Sequence, residues 1–235
     1  MTDNHDNHDF FQKNVDYYSC DYKSFTLRPW ENQIRELCRG NVLDVACGGG
    51  RMTIPLLHDG HNVTGTDFVT GFELKIRQRT SEFRGEFRFV TASMDSLPLP
   101  NESFDTVTCI NSIVYMPDRS RLQCAISEMA RVLKPAGRLY ITTWNILNPL
   151  WGTSLVLNCA LNGGKRFGET SPFFKTLWGT TRGKTEMYVP PVSVLREMLM
   201  AVGITGDVYH CDRFARQDSS WSRFLPILVI AGVKR

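Results

Sequence analysis

The chain has 235 residues, of which 42 % are hydrophobic and 22 % are charged, and it carries a formal net charge of +3. This is the composition of an ordinary globular protein, and it excludes an intrinsically disordered chain. The small positive charge is not gathered into a basic run, so we expect no DNA partner.

Signals for export, membrane insertion and metal binding are missing from the sequence. The longest apolar stretch, residues 224–233, is too short to cross a bilayer and contains a proline. The amino terminus lacks the positive and apolar regions of a secretory signal. The seven cysteines are scattered without zinc-type spacing, which indicates reduced thiols. We therefore expect a cytoplasmic protein with no membrane span and no metal.

The amino-terminal segment, residues 1–35, is predicted to cap the rest of the protein. Its first part, NHDNHD at residues 4–9, has the residue types of a metal site. Untethered polar termini are usually disordered. We therefore predict a frayed terminus there, followed by a helix over residues 29–38 that ends at Gly40.

Strands and helices alternate after this first helix. The hydrophobic pattern predicts strands at residues 42–47, 61–68, 87–94, 104–110 and 138–144, and helices at 52–60, 71–80 and 119–133. Pro135 and Gly137 are expected to end the last of these helices. Strands that alternate with helices form right-handed βαβ units, so the sequence predicts an α/β fold with a parallel sheet.

The alternation is interrupted between residues 145 and 190, where no clear sheet strand is predicted. We interpret residues 146–190 as an insertion that forms a lid or a substrate wall. Its aromatic and basic side chains would give either an aromatic pocket with a basic rim or a lid packed on itself. These residues are Trp151, Phe167, Phe173, Phe174, Trp178 and Tyr188, with Lys165, Arg166, Lys175, Arg182 and Lys184 between them.

The last segment, residues 191–235, resumes regular structure. A helix is predicted over residues 192–203, followed by strands at 204–211 and 223–235. We expect a polar turn to join these two strands into a hairpin on the edge of the sheet.

A glycine loop follows the first predicted strand, in VLDVACGGGRMT. Gly48 and Gly50 supply the first part of a dinucleotide-binding fingerprint, but Thr53 stands where its third glycine would be. Asp44 precedes the loop, and a carboxylate there is unfavourable beside a pyrophosphate but suits a cation. The loop therefore favours S-adenosylmethionine, which carries a positive sulfur, over a nicotinamide cofactor.

Acidic residues also end the second and third predicted strands. Asp67 lies about 20 residues beyond the glycine loop, the usual position of a carboxylate that binds ribose hydroxyls. Asp95 follows the third strand, where it could accept a hydrogen bond from an adenine amino group, with Met94 against the ring. Alternatively, Asp95 only caps a turn.

These motifs together resemble those of a known family. VLDVACGGG, GTDF, ASMDSLPLPNESFDTVTCINSIVYMPD and EMARVLKPAGRLYITTW, in this order, are similar to class I S-adenosylmethionine-dependent methyltransferases. The resemblance covers residues 36–145, the expected cofactor-binding core, and is greatest to the methyltransferase type 11 domain of the ubiquinone and menaquinone C-methyltransferase group. It implies a Rossmann-like, doubly wound seven-stranded sheet in the order 3-2-1-4-5-7-6 with the last strand antiparallel.

The resemblance also assigns candidate site residues. It implies that the cofactor is held by Asp44, Ala46, Gly48, Gly50, Asp67, Phe68, Met94, Asp95, Cys109, Ile110 and Asn111. It further suggests an aromatic cover from the amino-terminal segment, with Tyr17, Tyr18 and Tyr22 as candidates; packing alone would explain these tyrosines equally well. On the acceptor side, Asn111, Tyr115 and Trp144 are predicted at the carboxyl ends of strands four and five.

Methyl transfer needs alignment of donor and acceptor and exclusion of water more than it needs a strong catalytic group. No histidine occupies a position where the motifs would place a base. We therefore predict catalysis by proximity on a small-molecule acceptor that is aromatic or amphiphilic, of natural-product, quinone or lipid type, by a monomer or a homodimer. The alternatives are a tRNA wobble-base methyltransferase and a non-catalytic partner subunit with the same fold.

Overall fold

A computed structural model describes residues 5–20, 26–79, 83–145, 147–148, 169–170, 187–216 and 227–235. Its main feature is a seven-stranded sheet whose first five strands are β1 (Val42–Val45), β2 (Val63–Asp67), β3 (Phe87–Thr91), β4 (Phe104–Cys109) and β5 (Leu133–Trp144). Helices α4 (Thr53–His58), α5 (Gly71–Arg77) and α6 (Arg119–Val132) alternate with these strands. The alternation predicted from the sequence is therefore confirmed in this region.

The carboxyl-terminal part adds two more strands to the sheet. Helix α7 (Val192–Ala201) leads into β8 (Ile204–His210), and β9 (Ile227–Lys234) lies between β8 and β5. The order β3-β2-β1-β4-β5-β9-β8 is the predicted order 3-2-1-4-5-7-6. Strand β9 runs antiparallel to both of its neighbours, so the predicted fold class is confirmed.

The connections in this part differ from the prediction. A short helix, α8 (Cys211–Phe214), follows β8 directly, so the predicted simple polar turn was wrong. Cys211 is 1 % exposed, and burying it beside the sheet explains why a helical turn forms there. Strands β6 (Glu169–Thr170) and β7 (Met187–Tyr188) pair in a separate two-stranded sheet within the predicted insertion. Most of the insertion, including the aromatic and basic residues predicted before Tyr188, lies outside the described residues.

The amino-terminal segment is more ordered than predicted. Helices α1 (His5–Lys13) and α2 (Val15–Cys20) precede α3 (Pro29–Leu37). The prediction of a frayed terminus was wrong because Phe10 and Phe11 are buried, with Val69 and Phe72 in the same apolar cluster. Burial of two aromatic side chains supplies the stabilisation that a short polar helix lacks by itself.

Two large apolar clusters cover the faces of the sheet. One contains Leu43, Val107 and Ile141 together with the buried side of α6 and α7. The other contains Val42, Tyr140 and Val229 together with residues of α3 and α4. Strands β1, β5 and β9 contribute side chains to both clusters. The parallel pairing of β1 with β2 and β4 brings the carboxyl ends of β1, β2 and β4 to one edge.

Candidate functional site

The glycine loop lies at this carboxyl edge, between β1 and α4. Ala46, Gly48 and Gly50 have φ angles of 52°, 52° and 89°, in the region that favours glycine. An alanine there costs about 1–2 kcal/mol. Cys47 fixes the loop, because its N–H donates to the Thr66 carbonyl of β2 at 2.9 Å and its own carbonyl accepts from Gly50 N–H at 3.0 Å.

The two outer glycines of the loop have opposite surroundings. A Cβ atom at Gly50 would lie 3.0–3.1 Å from the side chains of Ile76 and Ile54, so this glycine permits close packing against α5 and α4. A Cβ atom at Gly48 would meet nothing within 4 Å. The backbone at Gly48 therefore faces open space, and this space fits a ligand that lies against the loop.

Asp67 ends β2 beside this open space and is 4 % exposed. Its Oδ2 accepts from Gly48 N–H and its Oδ1 accepts from Val69 N–H, both at 3.0 Å. Burial raises the pKa of Asp67 to about 6, and the hydrogen bonds from Val69 and Gly48 partly oppose this rise. An ionised carboxylate has about four acceptor positions, so Asp67 can hold the loop and still accept from the two hydroxyls of a ribose.

Asp44 lies in β1, just before the loop. It is 2 % exposed, and its two oxygens accept from the hydroxyls of Thr53 at 2.6 Å and Thr108 at 2.8 Å. Burial raises its pKa to about 6, against the effect of these two hydroxyls. Thr53, which breaks the dinucleotide fingerprint, is thus the residue that ties Asp44 to the start of α4. Asp44 positions the loop, and direct contact with a cofactor stays a prediction.

Asp95 and Met94 are held by contacts within the protein. The side chain of Asp95 is 2 % exposed, and its Oδ2 lies 2.5 Å from Arg121 Nε of α6. Ser93 Oγ donates to its other oxygen at 2.5 Å. Met94 is 7 % exposed within the core cluster that contains Leu43. These contacts attach the loop after β3 to α6, and a role for either residue in binding adenine stays a prediction.

The end of β4 is placed next to the glycine loop. Cys109 is fully buried, and burial raises the pKa of its thiol well above the ordinary value, so it is not a nucleophile. Ile110 is partly buried against the α3 side of the sheet. Asn111 has a φ angle of 57°, and its N–H donates to Thr142 Oγ1 at 2.7 Å. This bond aligns the ends of β4 and β5.

An aromatic cluster includes residues that follow β2 and β4 at the same edge. We use this name for Phe10, Phe11, Tyr18, Phe68 and Tyr115, which are linked by ring contacts. Phe11 is central, with its ring centroid 4.9 Å from Tyr115 and 6.0 Å from Phe68.

A hydrogen bond joins helix α1 to Tyr115 of the cluster. Asn7, which is 1 % exposed, donates from Nδ2 to the Tyr115 carbonyl at 2.8 Å. Phe11 and Asn7 were not predicted as site residues. The spacing of Phe11, Val15 and Tyr18 over two short helices was the available signal.

The tyrosines have unequal support as site residues. Burial raises the pKa of Tyr115 to about 12, and a hydrogen bond from Tyr18 opposes that rise. Tyr115 is therefore protonated at neutral pH and cannot serve as a base in this state. The side chain of Tyr17 and all of Tyr22 lie outside the described residues. Trp144 is half-buried at the end of β5 and packs against Val114 and Val189.

Neither a metal site nor a membrane-spanning helix is found among the described residues. Among the described residues no three His, Cys, Asp or Glu side chains come together as a metal site would require. No helix within the described ranges is long and apolar enough to span a membrane.

Comparison with known proteins identifies a methyltransferase domain in this chain. Residues 42–137 match a family model described as a methyltransferase domain. An O-methyltransferase of Pyrenophora dematioidea is 37 % identical over 115 residues, covering 47 % of this chain and 41 % of the relative. A ubiquinone biosynthesis O-methyltransferase of Pseudomonas putida is 32 % identical over 118 residues, covering 49 % of each. The chain spans about half the length of the curated relatives it matches.

Solved structures show the same fold over most of the chain. A methyltransferase from Methanosarcina mazei has a TM-score of 0.67 at 20 % identity and covers 89 % of this chain and 99 % of its own. Magnesium protoporphyrin IX methyltransferase from Synechocystis, with bound S-adenosylhomocysteine, has a TM-score of 0.67 at 16 % identity and covers 99 % and 100 %. The predicted resemblance to class I S-adenosylmethionine-dependent methyltransferases is confirmed, with residues 42–137 matching a methyltransferase domain.

Proposed function

We propose that this protein transfers a methyl group from S-adenosylmethionine to a small-molecule acceptor. The observation that carries the proposal is the open space beside Gly48, next to the buried carboxylate of Asp67. A loop held open in this way, with an acceptor for ribose hydroxyls at its side, fits an adenosyl group whose amino-acid part lies along the loop. The domain family and the fold of the solved structures support the same donor.

The chain's own residues hold and enclose the donor in this proposal. S-adenosylmethionine supplies, when bound, a methyl group already activated by positive sulfur. Asp67 would bind the ribose, and the backbone at Gly48 would allow the close approach. The aromatic cluster would cover the nucleoside and exclude water, which strengthens polar interactions inside the site. No described side chain is needed as a strong acid.

The acceptor side is built from the ends of β4 and β5. Asn111 and Trp144 lie there, and Tyr115 follows β4 after one short turn. A neutral tyrosine hydroxyl can orient an acceptor by hydrogen bonding but does not take its proton. We therefore retain these three residues as candidates for positioning the acceptor, with catalysis arising from alignment.

The names of the relatives and the composition of the insertion both favour an aromatic acceptor with a hydroxyl group. Two relatives carry the name O-methyltransferase, one of them in ubiquinone biosynthesis. The insertion is rich in aromatic and basic residues, which suits a planar or amphiphilic molecule. We propose a phenol of quinone or natural-product type as the first acceptor to test. It would react as the phenolate, with its proton released to solvent before the methyl group moves from sulfur to oxygen and S-adenosylhomocysteine leaves.

Calorimetric titration and a labelled-methyl assay test the proposal together. The protein should bind S-adenosylmethionine and S-adenosylhomocysteine but neither NADH nor NADPH. With labelled donor, extract fractions of small metabolites should become labelled, whereas RNA should not. Binding of a nicotinamide cofactor alone would refute the donor, and exclusive, salt-sensitive labelling of RNA would favour the wobble-base alternative.

A further inference from the structure

A buried ion pair lies immediately beside the glycine loop, and the proposed mechanism does not use it. Arg51 follows Gly50 directly, and its Nε and Nη2 donate to Oε1 and Oε2 of Glu31 at 2.8 Å and 2.5 Å. The side chain of Glu31 is fully buried, and that of Arg51 is 18 % exposed. This is the two-bond arrangement in which arginine binds a carboxylate with fixed geometry.

Glu31 also accepts a hydrogen bond from the backbone at the start of α3. Its Oε2 also accepts from the backbone N–H of Arg28 at 2.8 Å, which fixes the first turn of α3. Arg28 comes directly before α3, at the end of the segment that contributes Phe10, Phe11 and Tyr18 to the aromatic cluster. One carboxylate therefore connects the glycine loop, the start of α3 and the chain that leads to the cover.

The glycine loop is held by contacts with β2 on one side and with α3 on the other. Ala46, Gly48 and Gly50 all have left-handed φ angles, and such backbone persists only where its surroundings hold it. Asp67 and the Thr66 carbonyl hold the loop from the β2 side. Arg51 is the attachment on the α3 side, at the point where the loop becomes α4.

We propose that Arg51 and Glu31 are positioning residues, whose ion pair keeps the glycine loop in the conformation that binds the donor. This inference rests on the proposed function for the identity of the ligand. Because breaking a buried pair leaves an uncompensated charge, loss of either partner should displace residues 46–50 as well as weaken the fold. A purely structural pair would weaken the fold and leave the loop and its affinity unchanged.

The chain offers a matched control on the same helix. Arg35 of α3 makes a two-bond pair with Asp59, just after α4. Both of its side chains are 33 % exposed, and the pair lies at the other end of α4 from the glycine loop. Asp59→Asn therefore breaks an arginine pair between the same two elements without touching the loop.

The experiment compares Glu31→Gln, Arg51→Lys and Asp59→Asn with the wild type. Calorimetry measures the affinity for S-adenosylmethionine below the melting temperature of every variant. We expect Glu31→Gln to weaken binding by about tenfold or more, equal to about 1.4 kcal/mol. Arg51→Lys keeps the charge but loses the planar fork, so it should weaken binding by about threefold. Asp59→Asn should remain within about twofold of the wild type.

Amide hydrogen exchange in the free protein provides the second measurement. Exchange at residues 46–50 should be faster in Glu31→Gln than in the wild type and unchanged in Asp59→Asn. If Glu31→Gln does not fold, Arg51→Lys decides by the same two measurements. Wild-type affinity and exchange in both loop-side variants would overturn the inference. If the wild type binds no S-adenosylmethionine, the proposed function fails, and loop exchange alone then decides the positioning role.

Discussion

Replacing Asp67 by asparagine separates the role of this carboxylate in the fold from its role in binding. An asparagine would keep the shape of the side chain, but only one of its two polar atoms accepts hydrogen bonds. Either Gly48 N–H or Val69 N–H, both of which now donate to the carboxylate at 3.0 Å, would then face an amide nitrogen. One buried donor would lose its acceptor, at a cost of about 1–3 kcal/mol.

The same change also removes an unfavourable ionisation. The pKa of Asp67 is raised by burial from 3.8 to about 6, which corresponds to about 3 kcal/mol against the charged form. These two terms have opposite signs and similar sizes. At neutral pH the free energy of unfolding of Asp67→Asn should therefore stay within about 2 kcal/mol of the wild-type value.

The raised pKa of Asp67 should make the folded protein less stable as the pH rises. Between the unfolded pKa of 3.8 and the folded pKa of about 6, the folded protein binds a proton that the unfolded chain has lost. Raising the pH through this range therefore removes stability, by about 2 kcal/mol between about pH 4.5 and about pH 7.5. Asparagine cannot titrate, so the variant should lack this component.

Urea unfolding at the two pH values, for both proteins, measures the difference directly. Other titrating groups contribute to both proteins and largely cancel, apart from Asp44, whose charge also raises the pKa of Asp67. Affinity for S-adenosylmethionine should fall by at least about tenfold in the variant. An equal pH dependence in the two proteins would show that Asp67 is not a buried, raised carboxylate, and unchanged affinity would remove it from the binding site.

Three further predictions address the neighbouring residues. Asp44→Asn should leave the free energy of unfolding near neutral pH within about 2 kcal/mol of the wild-type value, because removing a charged form that burial disfavours is opposed by the loss of an acceptor for Thr53 N–H; a larger loss of stability in urea would contradict this. Gly48→Ala should unfold about 1 kcal/mol more easily and should lose affinity in calorimetry, because its methyl group enters the open space; unchanged affinity would place the ligand elsewhere. Phe11→Ala should loosen α1, seen as faster amide exchange over residues 5–20, by removing a buried aromatic contact worth about 3–5 kcal/mol; unchanged exchange would show that α1 does not depend on it.

The parts of the structure that the sequence predicted are those with local causes. The alternating strands and helices predicted a parallel sheet and the edge where the loop lies, whereas the strand order was implied by the family resemblance that the motifs around Gly48 and Asp67 carry. The helix over Pro29–Leu37 was expected from its apolar spacing and its ending at Gly40. Each of these predictions depended on residues close together in the chain.

The parts that were missed depend on contacts between distant residues. The contact between Asp95 and Arg121 of helix α6 was not predicted. Helix α1 is polar, and the docking of Phe11 onto Tyr115 stabilises it. The buried pair of Glu31 with Arg51 joins two segments that no local pattern connects. A single sequence gives no signal for such pairings.

A crystal structure with S-adenosylhomocysteine tests directly whether the donor binds beside Asp67 and Gly48. We expect both ribose hydroxyls to donate to Asp67 and the amino-acid part of the ligand to lie against the backbone at Gly48, beneath the aromatic cluster. A ligand bound elsewhere, or a ribose beyond hydrogen-bonding distance of Asp67, would contradict this expectation.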